Sequence, residues 1–316
     1  MKTGVHHEAL KFEKWQLPAV TVKGACEGPT LVVIGMQHIT EYSGPAAFDR
    51  VLAEVNPREL RGTLVVLPFV NPIQINYSPA RKRTLWKSPT TNMNRLWPGD
   101  SASTNELARL TAFIWETFLR RADAVIDYHC CRTVDPRFAA TLDGHRPSRA
   151  FALAMGLELL DLQTDDSYAH GLLFTAAARE LNIPAALIEN HPGLFQVRES
   201  VESGASALWR SMVHLGMLES WEPYPAAAHA TTIVRRSDAA TELHASHAGY
   251  VGVRKWAGER VAKGNVVAVV RSMKTFEVLE ELRSPVTGVL CSVGVTTDRP
   301  VARSGDIVAT VKRATR

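Results

Sequence analysis

Short apolar runs alternate with amphipathic segments through the first two thirds of the chain. Four runs have the length and the Val, Ile and Leu content of buried strands, at residues 30–35, 63–69, 124–128 and 184–188. Apolar residues recur at helical spacing over residues 46–55, 107–121, 148–155, 170–181 and 201–215. This alternation predicts an α/β fold in which helices cover both faces of a mixed, largely parallel sheet.

The pattern changes in the last third of the chain. From residues 231–234 onward, short Val-rich runs separated by glycines replace the alternation, which is typical of an all-β module. Residues 261–269 and 301–310 repeat a similar motif, as the two layers of a barrel-sandwich hybrid do. We therefore predict a larger domain that carries the chemistry, residues 1–225, and a small C-terminal β domain, residues 226–316, of barrel-sandwich type.

Composition and charge narrow the class of partner. The 316 residues are 46% hydrophobic and 22% charged, as in globular proteins, and the 36 Lys and Arg are scattered among 32 Asp and Glu. This predicts no nucleic-acid partner, while the net charge of +4 suits a small anionic substrate. No run is long enough to span a membrane, and four cysteines make no disulfide framework. We expect a cytoplasmic protein without membrane contact, compatible with a homo-oligomer.

A histidine and a glutamate follow the first predicted strand, at His38 and Glu41, and can bind one zinc ion. This spacing also arises by chance, but the third predicted strand ends in His129. Open α/β sheets place ligand sites at the carboxyl ends of their strands. Two His and one Glu leave a fourth position open, which is typical of catalytic zinc. A hydrogen-bonded core histidine is the alternative interpretation of His129.

The adjacent cysteines Cys130 and Cys131 are rival zinc ligands, because thiolates are softer than carboxylates. They follow the end of the strand instead of lying on it. We therefore favour a packing role for them behind the metal.

A carboxylate ends the fourth predicted strand, at Glu189. An unpaired carboxylate at the end of an apolar strand is costly unless it lies near a metal or a cation. Glu189 is thus the candidate base that activates water and carries a proton to the leaving group. A structural ion pair is the alternative.

The long polar segment at residues 73–102 contains Asn94 and Arg95. An arginine fork matches a carboxylate bidentately, and a neighbouring amide can add a donor. We expect these two side chains to bind a substrate carboxylate, although an Arg beside an Asn in a loop is a weak signal. Further positive charge comes from Arg81, Lys82, Arg83 and Lys87. A solvated basic loop is the alternative interpretation, and we favour it for Arg81 and Lys82.

Taken together, these motifs resemble the succinylglutamate desuccinylase/aspartoacylase family of zinc enzymes, which are related to metallocarboxypeptidases. The resemblance covers nearly the whole chain and is strongest to members that deacylate N-acyl amino acids, such as N-acetyl-diaminobutyrate deacetylase. It rests on Gly-x-x-His38-x-x-Glu41, Asn-x-Asn94-Arg95-x-x-Pro-Gly, Asp-x-His129 and the strand ending in Glu189. It implies zinc ligands His38, Glu41 and His129, the general base Glu189, the carboxylate-binding pair Asn94 and Arg95, and a cation, Arg83 or Lys87, that polarises the scissile carbonyl.

We therefore expect a zinc-dependent amidohydrolase, with one zinc ion per chain, that acts on the linear amide of a small N-acyl amino acid. The family often has Gly and an acidic or amide residue where this chain has Ile39 and Thr40, so the substrate stays open. A zinc carboxypeptidase acting on short peptides uses the same machinery. A non-enzymatic metal-binding or carrier protein is the third interpretation, since Met273 and Lys274 are similar to a biotin-accepting hairpin.

Overall fold

The computed structural model describes residues 1–75, 88, 90–131, 135–164, 170–190, 198–220, 231–294 and 301–313. Nine strands form one large sheet: β1 (Gly4–Phe12), β2 (Trp15–Lys23), β3 (Cys26–Gly35), β4 (Arg61–Leu67), β5 (Ala124–Cys130), β6 (Phe138–Leu142), β7 (Leu159–Gln163), β8 (Ala185–Asn190) and β9 (Thr232–Arg235). The α-helices are α1 (Ser43–Leu52), α2 (Pro72–Ile75), α3 (Glu106–Thr117), α4 (Arg146–Ala154), α5 (Leu173–Ala176) and α6 (Arg198–His214). Short turns of 3-10 helix span Met93–Arg95 and Leu119–Arg121, and a π-helical turn spans Ala177–Leu181.

The large sheet is mixed, with the strand order β1-β2-β4-β3-β5-β8-β6-β7-β9. Its centre is parallel, because β4, β3, β5 and β8 all run in the same direction. Antiparallel pairs occur where β2 joins β4 and where β6 joins β8. The carboxyl ends of β3, β5 and β8 therefore lie side by side at one edge, where open α/β sheets bind ligands.

Helices cover both faces of this sheet, as predicted. On one face, Phe48 of α1 and Trp209 of α6 pack against strand residues such as Val33. On the other, Trp115 of α3 and Phe174 of α5 pack against the strand residues that point the opposite way. Because both faces are covered, the central strands are apolar at nearly every position, which explains their continuous apolar runs. None of the helices in the described ranges combines the length and apolarity needed to cross a bilayer.

Five strands of the large sheet were not expected in it. The hairpin of β1 and β2 and the strands β6 and β7 carry no continuous apolar run; β1, for example, exposes most of its length. The run at residues 231–234 was expected in the C-terminal module, and this expectation was wrong. Instead, β9 extends the large sheet by pairing in parallel with β7, Leu159 opposite Thr232.

Beyond β9, the chain forms two four-stranded sheets. Their strands are β10 (Ala240–His244), β11 (Gly249–Val253), β12 (Arg260–Val261), β13 (Val266–Arg271), β14 (Val278–Arg283), β15 (Gly288–Val293), β16 (Val301–Ala302) and β17 (Ile307–Lys312). The orders are β10-β17-β15-β12 and β14-β13-β11-β16, and one apolar cluster spans both sheets. Val289 packs against Leu159 and Val234 of the large sheet. Closure into a barrel, and a domain boundary at residue 226, stay predictions.

Candidate metal centre and active site

Three potential metal ligands meet at the carboxyl edge of the central strands. His38 and Glu41 lie in the loop between β3 and α1, where the Glu41 amide donates to the His38 carbonyl at 3.1 Å. His129 lies near the end of the neighbouring strand β5. One ligand atom from each residue lies within 4.8 Å of the other two. The structure thus brings together the three residues that the sequence singled out.

Glu41 lies between the two imidazoles. Its Oε1 is 2.9 Å from His38 Nδ1, and its Oε2 is 2.8 Å from His129 Nδ1 but outside hydrogen-bonding geometry. Burial alone raises the pKa of Glu41, but the two histidines outweigh it and lower the pKa to about 2. Within the described residues Oε2 has no hydrogen bond, and an ionised carboxylate with one ring nitrogen beside each of its oxygens is a donor set that fits a divalent cation such as zinc.

Each histidine is held from behind through its other ring nitrogen. His38 Nε2 lies 3.0 Å from Asn92 Oδ1, and His129 Nε2 lies 3.0 Å from Asp127 Oδ2. These acceptors favour a proton on Nε2 of both rings, which directs both Nδ1 atoms toward Glu41. Burial alone lowers the pKa of His129, but the Asp127 and Glu41 carboxylates raise it well above its usual value.

Buried hydrogen bonds fix Asp127 in turn. Gln37 Nε2 donates to Asp127 Oδ2 at 2.7 Å, and Trp97 Nε1 donates to Gln37 Oε1 at 2.8 Å. All three side chains are at most 4% exposed. Sequence reasoning gave no role to Asp127 or Asn92. The signal for Asp127 was its place two residues before His129, which puts both side chains on the same face of a strand. Asn92 begins the motif Asn-x-Asn94-Arg95, but nothing in the sequence placed it beside His38.

Glu189 lies on β8 directly opposite His129 on β5. Paired residues of neighbouring strands project from the same face, so this carboxylate faces the ligand group. Its Oε2 is shielded from solvent and has no hydrogen-bond partner within the described residues. Burial raises the pKa of Glu189 to about 8, with repulsion from nearby carboxylates adding to the effect and His129 opposing it.

Asn94 and Arg95 belong to the 3-10 turn that lies over His129. Asn94 is buried, with Nδ2 3.0 Å from His129 Nε2 and Oδ1 accepting from the Leu173 amide at 2.9 Å. Arg95 is half-buried and donates from Nη1 to the Asn94 carbonyl at 2.6 Å. Gly171 fits closely beneath the turn, since a Cβ there would lie 2.2 Å from the Arg95 carbonyl oxygen. The amide of Asn94 is therefore engaged within the protein, whereas part of Arg95 remains accessible.

The two cysteines lie behind the ligand group. Cys130 Sγ is 2.9 Å from Ser43 Oγ, and Cys131 Sγ donates to the Asn190 carbonyl at 2.7 Å. Burial raises the pKa of Cys130 to about 12 and raises that of Cys131 as well, so both thiols stay neutral. Within the described residues neither thiol belongs to the group of potential metal ligands, in keeping with a packing role. The two expected carbonyl-polarising cations, Arg83 and Lys87, lie outside the described residues.

The fold and the site together define an open α/β protein with a candidate metal group, two histidines and a glutamate, at the carboxyl edge of its parallel strands. The model of the succinylglutamate desuccinylase/aspartoacylase catalytic domain matches residues 27–189, which is more than half of the chain. The chain therefore belongs to the succinylglutamate desuccinylase/aspartoacylase family. The matched segment contains all three candidate ligands and ends at Glu189.

Relatives extend the likeness over the rest of the chain. The N-alpha-acetyl-L-2,4-diaminobutyric acid deacetylase of Halomonas elongata is 26% identical, with 92% of this chain and 86% of the relative covered. A succinylglutamate desuccinylase structure from Silicibacter sp. TM1040 covers 99% of this chain and 96% of its own, at 21% identity and a TM-score of 0.72. The product-bound ectoine utilization protein EutE (DoeB) of Ruegeria pomeroyi covers the same shares at 21% identity, with a TM-score of 0.71. These two structures show a shared fold.

Proposed function

We propose that this protein is a zinc-dependent hydrolase that cleaves the amide bond of a small N-acyl amino acid or a related carboxylate-bearing amide. The observation that carries the proposal is the group of His38, Glu41 and His129 with Glu189 opposite His129 on the next strand. Membership of the family and the likeness to a diaminobutyric acid deacetylase support an acyl amide as the substrate.

The donor set fits zinc, since two imidazoles and a carboxylate are typical of catalytic sites with an open fourth position. When bound, zinc would supply Lewis acidity to the scissile carbonyl and to the attacking water. The side chains of His38 and Glu41 are 15% and 16% exposed, so solvent and substrate can reach this side of the group. His129 is buried and forms its inner wall.

Glu189 would move the proton. Its carboxylate takes a proton from the attacking water, and the oxygen of the water forms a bond to the acyl carbon. As the carbon–nitrogen bond breaks, Glu189 gives that proton to the leaving nitrogen, which departs as an amine. A pKa raised toward neutrality suits a group that must both accept and donate a proton in one cycle.

Arg95 would bind the substrate carboxylate through its guanidinium fork. Asn94 would support it, because its amide contacts His129 and the start of α5 and so fixes the turn relative to the ligands. The cation that polarises the scissile carbonyl would be Arg83 or Lys87.

Two other functions remain. A zinc carboxypeptidase would use the same side chains but would release the C-terminal residue of a short peptide, so the acyl side of the cleaved bond would be a peptide and not a small acyl group. A non-enzymatic metal carrier would use the β module, in which Lys274 is exposed. A carrier has no need of a shielded carboxylate such as Glu189 beside the ligands, so we favour an enzyme.

A substrate panel separates the three functions. We expect purified protein to hydrolyse at least one of the N-acetyl, N-formyl or N-succinyl amino acids, to lose this activity in a chelator and to regain it with added zinc. Cleavage of dipeptides without hydrolysis of any N-acyl amino acid would favour a carboxypeptidase. An intact mass that shows a biotin adduct on Lys274, together with no hydrolysis at all, would favour a carrier.

A further inference from the structure

The two candidate histidine ligands are supported by different chemistry. Behind His129 stands the carboxylate of Asp127, which is fully buried and held by Gln37. Behind His38 stands the amide oxygen of Asn92, at the same distance of 3.0 Å. Both acceptors select the same tautomer, but only Asp127 adds a negative charge to the centre.

Asn92 also begins the turn that carries Arg95. Its Oδ1 accepts a hydrogen bond from the Asn94 backbone amide at 3.0 Å, which caps the 3-10 turn Met93–Arg95. The same oxygen faces His38 Nε2. This single oxygen atom therefore connects His38, a proposed metal ligand, with the turn that is proposed to bind the substrate.

Charge-assisted hydrogen bonds are roughly twice as strong as neutral ones, and groups behind a ligand change metal affinity by about 10- to 100-fold. We propose that Asn92 is the positioning residue for the ligand His38, and that its uncharged amide makes the His38 side of the centre the more weakly held side. The inference rests on the metal site of the proposed function, and its test measures metal binding instead of activity.

Three variants of Asn92 separate the positioning role from the capping role. Asn92→Asp keeps the acceptor and the cap and adds a charge, so zinc should bind about tenfold more tightly. Asn92→Ser keeps a capping oxygen but is too short to reach His38, so zinc should bind about tenfold more weakly while the metal-free protein stays as stable as the wild type. Asn92→Ala loses both functions and should lose zinc affinity and stability together.

Asn265→Asp is the matched control. Asn265 caps a turn in the C-terminal β domain, where its Oδ1 accepts from the Ala262 amide at 2.9 Å, and its side chain is exposed. The substitution adds the same charge at a similar cap, away from the ligand group. It should leave zinc affinity unchanged, which shows that any gain in Asn92→Asp is local.

The experiment is a competition titration of each metal-free protein with zinc against a chromophoric chelator, with thermal melting of the same samples. A fall in zinc affinity in Asn92→Ser at unchanged metal-free stability, and a gain in Asn92→Asp, support the proposal. Wild-type affinity in Asn92→Ser, or a gain shared by Asn265→Asp, overturns it. A wild type that binds no zinc overturns both this inference and the proposed metal site, whereas zinc binding without hydrolysis overturns the proposed hydrolase alone.

Discussion

Replacing Glu189 by Gln keeps the shape of the side chain and removes its proton-accepting group. General acid–base catalysis contributes roughly 10²–10⁴-fold, so turnover should fall by that factor, which is about 3 to 5 kcal/mol of activation free energy. Zinc should remain bound, since the three proposed ligands are elsewhere. The Michaelis constant should change little, because Glu189 acts in the transition state and not in binding.

The stability of the same variant provides an independent test of the role of Glu189. In the metal-free protein the pKa of Glu189 is about 8, against about 4.5 in the unfolded chain. The folded state therefore keeps a proton that the unfolded state releases, so Glu189 makes stability fall as pH rises from 4.5 to 8. At pH 7 the free energy of unfolding is therefore about 3 kcal/mol lower than it is well below pH 4.5, where Glu189 is protonated in both states. Glu189→Gln should remove this dependence of stability on pH, and at pH 7 the variant should be at least as stable as the wild type.

Zinc content, thermal melting between pH 5 and 8, and steady-state kinetics on one preparation test this reasoning. Glu13→Gln is a suitable control, because Glu13 forms an ion pair with Arg109 and neither residue belongs to the proposed site. It should lose a little stability and no turnover. The reasoning is refuted if Glu189→Gln melts early yet keeps near-normal turnover per folded molecule, since that is the behaviour of a structural ion pair.

Three further outcomes follow from the geometry of the site. Arg95→Lys keeps the charge but loses the fork, so the Michaelis constant for a carboxylate substrate should rise about tenfold in steady-state assays. Gly171→Ala should lower the melting temperature and raise that constant, because φ is +76° and the new Cβ would strike the Arg95 carbonyl. Zinc competes with a proton on His129, whose pKa is raised, whereas Glu41 stays ionised down to about pH 2. Chelator competition should therefore show zinc affinity rising about tenfold per pH unit below the pKa of His129, and in Asp127→Asn this rise should end at a lower pH.

The central strands were predictable because both of their faces are covered. β3, β4, β5 and β8 are continuous apolar runs, and their parallel order follows from the helices between them. The edge strand β1 was not predictable in this way. It exposes His7 and Glu8 to solvent and is covered on one face only, so its apolar residues form no continuous run.

The candidate site was predictable where it depends on strand ends. His38, Glu41 and His129 each follow or end an apolar run, and topology alone brings such positions together. Asn92 is different, because its contact with His38 joins residues 54 positions apart, and Asn92 precedes a short 3-10 turn instead of ending an apolar strand. No periodic pattern encodes such a contact.

The place of β9 shows the same limit. Its residues resemble the Val-rich runs that follow, and only pairing with β7 assigns it to the large sheet. Strand partners depend on which edge is open in the folded protein, which a local pattern does not contain.

Metal content per chain tests the central claim most directly. Purified wild-type protein should contain about one zinc per chain by elemental analysis, and His38→Ala and His129→Ala should each lose it while remaining folded. Stoichiometric zinc retained in both variants would contradict the claim that these side chains form the metal centre.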